Sequence, residues 1–202
     1  MKTYPIMLNL TARRCVVVGA GSVGQRKAQS LHRAGADVLV VDPNPPADFS
    51  AEGIELVRAP YEKRLLAGAS LVFACTDDAA LNTRVATDAR SAGAMVNVAD
   101  RPEECDFLAP AVVADGEVVV AVGTGGAAPA LAGTIRDRLA GHLPRRVGEF
   151  AAALGQVRQH LHRHVQDSAK RGHILKILAG EQGLRAFTEA GVEALLELAQ
   201  QL

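Results

Sequence analysis

The stretch Cys15–Leu31, CVVVGAGSVGQRKAQSL, places the strongest constraint on how this chain folds. A run of β-branched residues ends at three glycines in the pattern G-x-G-x-x-G, and a helical pattern follows. Glycines also serve ordinary turns, so the pattern gains its weight from lying between a strand-like run and a helix. This order predicts a strand–turn–helix unit of the dinucleotide-binding kind.

Each residue of this loop has its own expected role. Gly19 permits a tight turn, Gly21 lacks the Cβ that would block a pyrophosphate, and Gly24 lets helix and strand pack closely. The helix begins near Ser22 and Val23, where free N–H groups and a partial positive charge attract phosphates. We therefore expect these five residues to bind a cofactor.

An acidic residue, Asp42, closes the second strand-like run, LVVDP. A carboxylate there can accept hydrogen bonds from ribose hydroxyls and would repel a 2′-phosphate, which favours NAD over NADP. The alternative is an aspartate that caps a turn before Pro43. We expect Asp42, its neighbours Pro43 and Asn44, and Thr76 after a later strand to complete the cofactor site.

Strand-like and helix-like segments alternate in the first half of the chain, which predicts a parallel sheet with right-handed crossovers. Asp115-Gly116, between two β-branched runs, predicts a hairpin. Apolar residues at steps of three and four then predict helices to the C-terminus. The expected fold class is α/β, with a Rossmann-type NAD-binding domain over 1–113, a hairpin-plus-helix dimerisation unit over 114–145 and a small helical domain over 146–202.

The composition narrows the choice of partners and compartment. The formal net charge is +0 and aromatic residues make up 3%, so nothing in the totals favours a nucleic acid or an anionic membrane. The N-terminus lacks the pattern of a secretory signal, and no apolar run reaches the roughly 20 residues of a membrane helix. We expect a cytoplasmic protein with reduced cysteines, of which Cys15 and Cys75 are buried and Cys105 is the more accessible.

Segments in order along the chain resemble the precorrin-2 dehydrogenase family, the N-terminal module of siroheme synthase. They are VVVGAGSVGQRKA, FACTDDAALN, VNVADRPEECDFLAPA and VGTGGAAPALAGTIRDRL. The second is similar to a family element with Thr76, Asp77, Asp78 and Asn82, and the third is similar to the signature that contains Asp100. The match covers nearly the whole chain and is far more specific than the glycine loop alone.

The resemblance implies an enzyme that oxidises precorrin-2 to sirohydrochlorin with NAD+, as a homodimer. Some family members also insert ferrous iron, so a bifunctional dehydrogenase and ferrochelatase is one alternative. An NAD-sensing binding module is another, although a sensor needs neither Asp100 nor a second glycine loop. No methyltransferase segment follows Leu202, so we expect the stand-alone form, which hands its product to a separate chelatase.

Asp100 follows a predicted strand and matches the family aspartate that is implicated in both activities. We expect it to act as a general base or to polarise a pyrrole nitrogen, the alternative being a solvated strand-end aspartate. Precorrin-2 is a polycarboxylate, so the expected substrate-binding residues supply N–H groups or positive charge. They are Asn97, Thr124, Gly125, Gly126 and Arg136. His160 and His164 have no acidic or cysteine partner nearby in the sequence, which is typical of a helix surface, and we predict no metal site.

Overall fold

The computed structural model describes residues 3–49 and 52–202. Its contacts divide the chain into two units. The first is Met1–Ala109 with Gly125–Ala128, and the second is Pro110–Thr124 with Pro129–Leu202. The division into three domains that the sequence suggests stays a prediction.

The first unit is built on a five-stranded parallel sheet with the strand order β3-β2-β1-β4-β5. The strands are β1 Arg14–Val18, β2 Asp37–Val41, β3 Glu55–Val57, β4 Leu71–Ala74 and β5 Met95–Val98. Helix α1, Ser22–Arg33, joins β1 to β2, and helix α2, Ala79–Ser91, joins β4 to β5. Short 3₁₀ turns cover Lys63–Leu66 and Pro102–Glu104. This is the Rossmann-type α/β arrangement that the alternating pattern predicts.

Both faces of the sheet are buried, which explains the continuous apolar runs in its strands. Val16 and Val18 belong to one apolar cluster, which includes side chains of α2. Cys15 and Val17 belong to the opposite cluster, which includes side chains of α1. The expected burial of Cys15 and Cys75 is confirmed.

The order of the strands positions the site. From β1 the chain proceeds to β2 and β3 on one side, and β4 and β5 lie on the other side. In open α/β sheets, ligands bind at the carboxyl ends of the strands where the order reverses. Gly19 follows β1 and Thr76 follows soon after β4, so both flank this point.

The second unit combines an antiparallel hairpin with helices. Strands β6, Ala111–Asp115, and β7, Val118–Val122, pair around Gly116, which has a φ of 54°. The helices are α3 Pro129–Ala140, α4 Val147–His164, α5 Ser168–Leu178 and α6 Glu181–Gln201. The predicted hairpin is confirmed.

Helix α6 is longer than its sequence pattern indicates. The apolar pattern VEALLELAQQL predicts a helix only after Gly191. In the structure the helix runs through a kink at Ala190 and Gly191. Gly183 is buried within it. A Cβ there would lie 1.8 Å from the Leu178 carbonyl oxygen, so this position requires glycine. Among the residues described, every helix is too short or too polar to cross a membrane.

Candidate active site

Backbone contacts fix two glycines of the loop after β1. Gly19 has a φ of 101°, and a Cβ there would lie 2.6 Å from the Cys75 carbonyl oxygen. A Cβ on Gly24 would lie 1.9 Å from the Gly19 carbonyl oxygen. Real Cβ atoms do not approach backbone this closely, so both positions require glycine. The loop is thereby held tightly between β1, β4 and α1.

Gly21, by contrast, borders open space. Apart from its chain neighbours and the adjoining helix backbone, no atom of the described residues lies within 4 Å of a Cβ built there. Gly21 is also the N-cap of α1, which has no side-chain cap and no acidic residue in its first turn. The first N–H groups of the helix, including those of Ser22 and Val23, lie outside the helical hydrogen-bond ladder. The geometry therefore fits the pyrophosphate of a dinucleotide at this helix end.

Asp42 ties the end of β2 to this loop. One carboxylate oxygen accepts a hydrogen bond from the Ala20 N–H at 2.7 Å, and the other accepts one from the Asn44 N–H at 2.7 Å. The half-buried carboxylate thus caps a turn, as the alternative interpretation expected. A carboxylate has about four acceptor positions, so it retains capacity for ribose hydroxyls. Pro43 and Asn44 beside it are exposed.

The loop after β4 is held by Asn82, a residue of the second family-like segment to which the sequence assigns no role. Its side-chain amide donates to the Thr76 carbonyl oxygen at 2.8 Å, and its side-chain oxygen accepts from the Thr76 hydroxyl at 2.8 Å. Asn82 is 5% exposed. The Thr76 N–H lies directly beside Gly19, 2.9 Å from the position of a Cβ there. The structure therefore brings Thr76 to the glycine loop on a rigid turn.

Asp100 lies just past the carboxyl end of β5 with an exposed side chain. Its φ of 59° is left-handed, a conformation that aspartate tolerates better than most residues. Burial raises the pKa of the Cys75 thiol to about 11, a net value to which the charges of Lys27 and Arg26 contribute by lowering it and the charge of Asp100 by raising it. These charges therefore share one edge of the sheet, beside the end of β4.

The segment after Asp100 folds back along β5. The side-chain amide of Asn97 donates to the Phe107 carbonyl oxygen at 2.9 Å. The Cys105 thiol accepts from the Val98 N–H at 3.2 Å, and an Asp106 oxygen accepts from the Val96 N–H at 2.9 Å. The last two bonds give partners to the backbone N–H groups of Val96 and Val98 on β5, an edge strand of the sheet. The Asn97 amide holds the loop, and its expected contact with substrate stays a prediction.

Cys105 is more accessible than Cys15 and Cys75, as expected, although it is held by the fold. Its side chain is half-buried, its sulfur bonds to β5, and burial raises its pKa. The return of the chain along β5 covers part of this side chain.

The second glycine loop, Gly123–Gly126, contains two glycines with a positive φ. Gly126, with a φ of 84°, packs against Pro102, since a Cβ there would lie 3.2 Å from the Pro102 Cβ. Gly125 has a φ of 62° and belongs to the same unit as Asp100. Thr124 and Arg136 belong to the second unit, where the Arg136 guanidinium pairs with Asp137 at 2.6 Å.

The two histidines of α4 stack on each other, with ring centroids 4.1 Å apart. Across the described residues, no three side chains of His, Cys, Asp or Glu gather in a way that could hold a metal ion.

Comparison with known proteins places the glycine-loop domain in a family. The family model described as "Putative NAD(P)-binding" matches residues 6–111. The chain belongs to this NAD(P)-binding family. The cofactor type that the family implies is a nicotinamide dinucleotide, in agreement with the space at Gly21 and the uncapped start of α1.

Curated relatives extend the similarity along the chain. A protein named siroheme synthase from Methylobacillus flagellatus is 36% identical over 206 residues, which cover 98% of this chain and 44% of the relative. A siroheme synthase from Nitrosomonas eutropha is 40% identical over 172 residues, or 81% of this chain and 36% of the relative. The chain thus spans less than half the length of these relatives.

A solved structure shares the whole fold. The structure titled "SirC, precorrin-2 dehydrogenase" aligns with a TM-score of 0.76 over 99% of this chain and 100% of the other. The sequences are 21% identical over this alignment. The Rossmann-type sheet, the hairpin and the C-terminal helices therefore occur together in another protein.

Proposed function

We propose that this protein oxidises precorrin-2 to sirohydrochlorin and transfers the hydride to NAD+. The observation that carries the proposal is the position of Asp100. This exposed carboxylate lies at the same edge of the sheet as the glycine loop. The names of the relatives and the fold shared with a precorrin-2 dehydrogenase support it. The ferrochelatase alternative and the hand-off to a separate chelatase stay predictions.

The choice of NAD over NADP follows from Asp42. Its carboxylate is held at the end of β2 by the Ala20 and Asn44 N–H groups. A fixed negative charge there accepts hydroxyl hydrogens but repels a 2′-phosphate.

In the proposed reaction the dinucleotide supplies the hydride acceptor, and the residues of the chain orient the reactants. The start of α1 fixes the pyrophosphate, and the loop at Thr76 stays rigid beside it. Asp100 takes the proton that leaves the macrocycle with the hydride. Its left-handed backbone fixes the direction in which the carboxylate leaves the sheet.

The proposed homodimer rests on the hairpin of the second unit. Val112 and Val119 are 45% and 42% exposed, and both lie on the face of the hairpin that bears Ala114 and Ala121. A small two-stranded sheet needs a partner to cover such a face. The variant Val112→Lys with Val119→Lys should sediment as a monomer, whereas a dimer of that variant would contradict the proposal.

The decisive experiment mixes the protein with freshly made precorrin-2 and NAD+ without oxygen. We expect NADH absorbance to rise together with the sirohydrochlorin spectrum. Binding of NAD+ without any turnover would overturn the proposal and favour the NAD-sensing module.

A further inference from the structure

Lys27 is a cation on the face of α1 that packs against the sheet. It lies between Gly24 and Leu31, which are buried at helical spacing on that face. Its side chain is half-buried, and its ammonium lies 5.6 Å from the centroid of the Phe73 ring. A lysine within an apolar helical stripe is unusual, because this residue type is rarely buried without a partner.

Among the described residues, no carboxylate lies within ion-pair distance of Lys27. The titratable groups around it are the thiols of Cys75 and Cys105 and the guanidinium of Arg26. Burial raises the pKa of both thiols, so they are neutral near pH 7 and supply no negative charge. Burial also lowers the pKa of Lys27, and Arg26 adds repulsion. A half-buried cation without a counter-ion is costly.

The ammonium lies at the edge of the sheet where ligands bind. Cys75 precedes Thr76 at the end of β4, and Cys105 bonds to Val98 at the end of β5. Side chains of a helix lean toward its N-terminus, so the stem of Lys27 points toward the glycine loop. The charge of Asp100 raises the pKa of the Cys75 thiol, and the charge of Lys27 lowers the pKa of the same thiol. The cation and the candidate base therefore both lie near the Cys75 thiol, at the carboxyl end of β4.

We propose that the Lys27 ammonium binds a carboxylate of the tetrapyrrole substrate and so positions the macrocycle beside Asp100. The inference rests on the proposed function, because it takes its anion from that substrate. The pyrophosphate of the cofactor offers similar oxyanion chemistry, but the N–H groups at the start of α1 already serve it, one turn before Lys27. An arriving carboxylate supplies the counter-ion that Lys27 lacks among the described residues.

Two variants test this assignment. Lys27→Met keeps the length of the stem and removes the charge, and Lys27→Arg keeps the charge. In the precorrin-2 assay we expect Lys27→Met to raise KM for precorrin-2 roughly ten- to hundredfold, the worth of a charge-assisted hydrogen bond. The kcat at saturation and the Kd for NAD+ should change less than about threefold. Lys27→Arg should recover most of the lost affinity.

Thermal unfolding separates binding from a structural role. Lys27→Met removes an unpaired, half-buried charge, so its Tm should equal or exceed that of the wild type. A lower Tm with parallel losses of cofactor and tetrapyrrole binding would overturn the inference in favour of a packing role. A weaker NAD+ affinity with an unchanged KM for precorrin-2 would overturn it in favour of the pyrophosphate.

Binding of sirohydrochlorin, followed by quenching of its fluorescence, separates the inference from the proposed function. Wild-type protein that binds sirohydrochlorin but does not oxidise precorrin-2 would sink the dehydrogenase proposal alone. Weaker binding by Lys27→Met would then still support the carboxylate contact. Equal binding by both proteins, or binding by neither, would overturn the inference.

Discussion

The two loops at the carboxyl edge of the sheet are built by opposite means. The loop Gly19–Gly24 is shaped by close backbone contacts, and it leaves open space at Gly21. The segment Asp100–Phe107 is shaped by side chains, with Asn97, Cys105 and Asp106 all bonded to backbone groups. The first loop therefore offers backbone N–H groups to a ligand. In the second, the polar side chains are largely occupied and Asp100 is left exposed.

The largest effect should come from the exposed carboxylate of the second loop. We expect Asp100→Asn to lower kcat roughly hundred- to ten-thousandfold, because it removes the proton acceptor. Asparagine also tolerates the left-handed backbone, so the free energy of unfolding should stay within about 0.5 kcal/mol of wild type. Anaerobic NADH formation and urea unfolding measure the two quantities. A variant with near-normal kcat would show that Asp100 is a solvated strand-end residue.

The next largest effect should come from the first loop and fall on stability. Gly24→Ala places its Cβ against the Gly19 carbonyl oxygen, and we expect it to cost about 3 kcal/mol of unfolding free energy. Gly21→Ala is the matched control, because its site has room and its φ of −62° suits alanine. It should fold normally and bind NAD+ at least about tenfold more weakly, since its Cβ enters the space proposed for the pyrophosphate.

Urea unfolding and calorimetric titration with NAD+ would check this pair. Equal stability of the two alanine variants would contradict the backbone argument. Unchanged NAD+ affinity in Gly21→Ala would place the pyrophosphate elsewhere.

The difference between the loops also explains what sequence can predict. Gly19 and Gly24 belong to one strand–helix turn of fixed spacing, so the glycine pattern and its context indicate their roles even though Gly19 contacts the distant Cys75. The hydrogen bonds of Cys105 and Asn97, by contrast, join β5 to the segment that returns along it. No local pattern shows that return, so the sequence alone does not indicate these bonds. The sequence assigns no role to Lys27, because only packing reveals that its half-buried charge has no counter-ion in the described part of the chain.

A smaller effect should distinguish the two roles of Asp42. In Asp42→Asn the side-chain oxygen can still accept one of the two N–H bonds, so unfolding should become easier by about 1 to 2 kcal/mol. Loss of the negative charge should narrow the preference for NAD+ over NADP+ by about tenfold, because the 2′-phosphate is no longer repelled. The ratio of kcat/KM values for the two cofactors measures this. An unchanged ratio would mean that Asp42 only caps the turn.

The smallest effect should come from Cys105, and it tests whether the second loop is structural. Its sulfur bonds to Val98, and burial raises its pKa, so at pH 8 it is less ionised than a free cysteine. It should therefore react with a maleimide far more slowly in the native protein than in the unfolded chain. Cys105→Ala should lower the free energy of unfolding by about 1 kcal/mol and leave kcat within about twofold.

A matched comparison decides how that result is interpreted. Cys15 is fully buried in the sheet, so its alkylation reports global unfolding, whereas Cys105 also reports local opening of the segment after β5. If Cys105 reacts well before Cys15, the segment opens independently and can adjust around a bound macrocycle. If both react together, the segment is part of the rigid sheet, and Asp100 is presented to ligands from a fixed backbone. A large loss of kcat in Cys105→Ala with normal stability would instead give the thiol a direct place in the reaction.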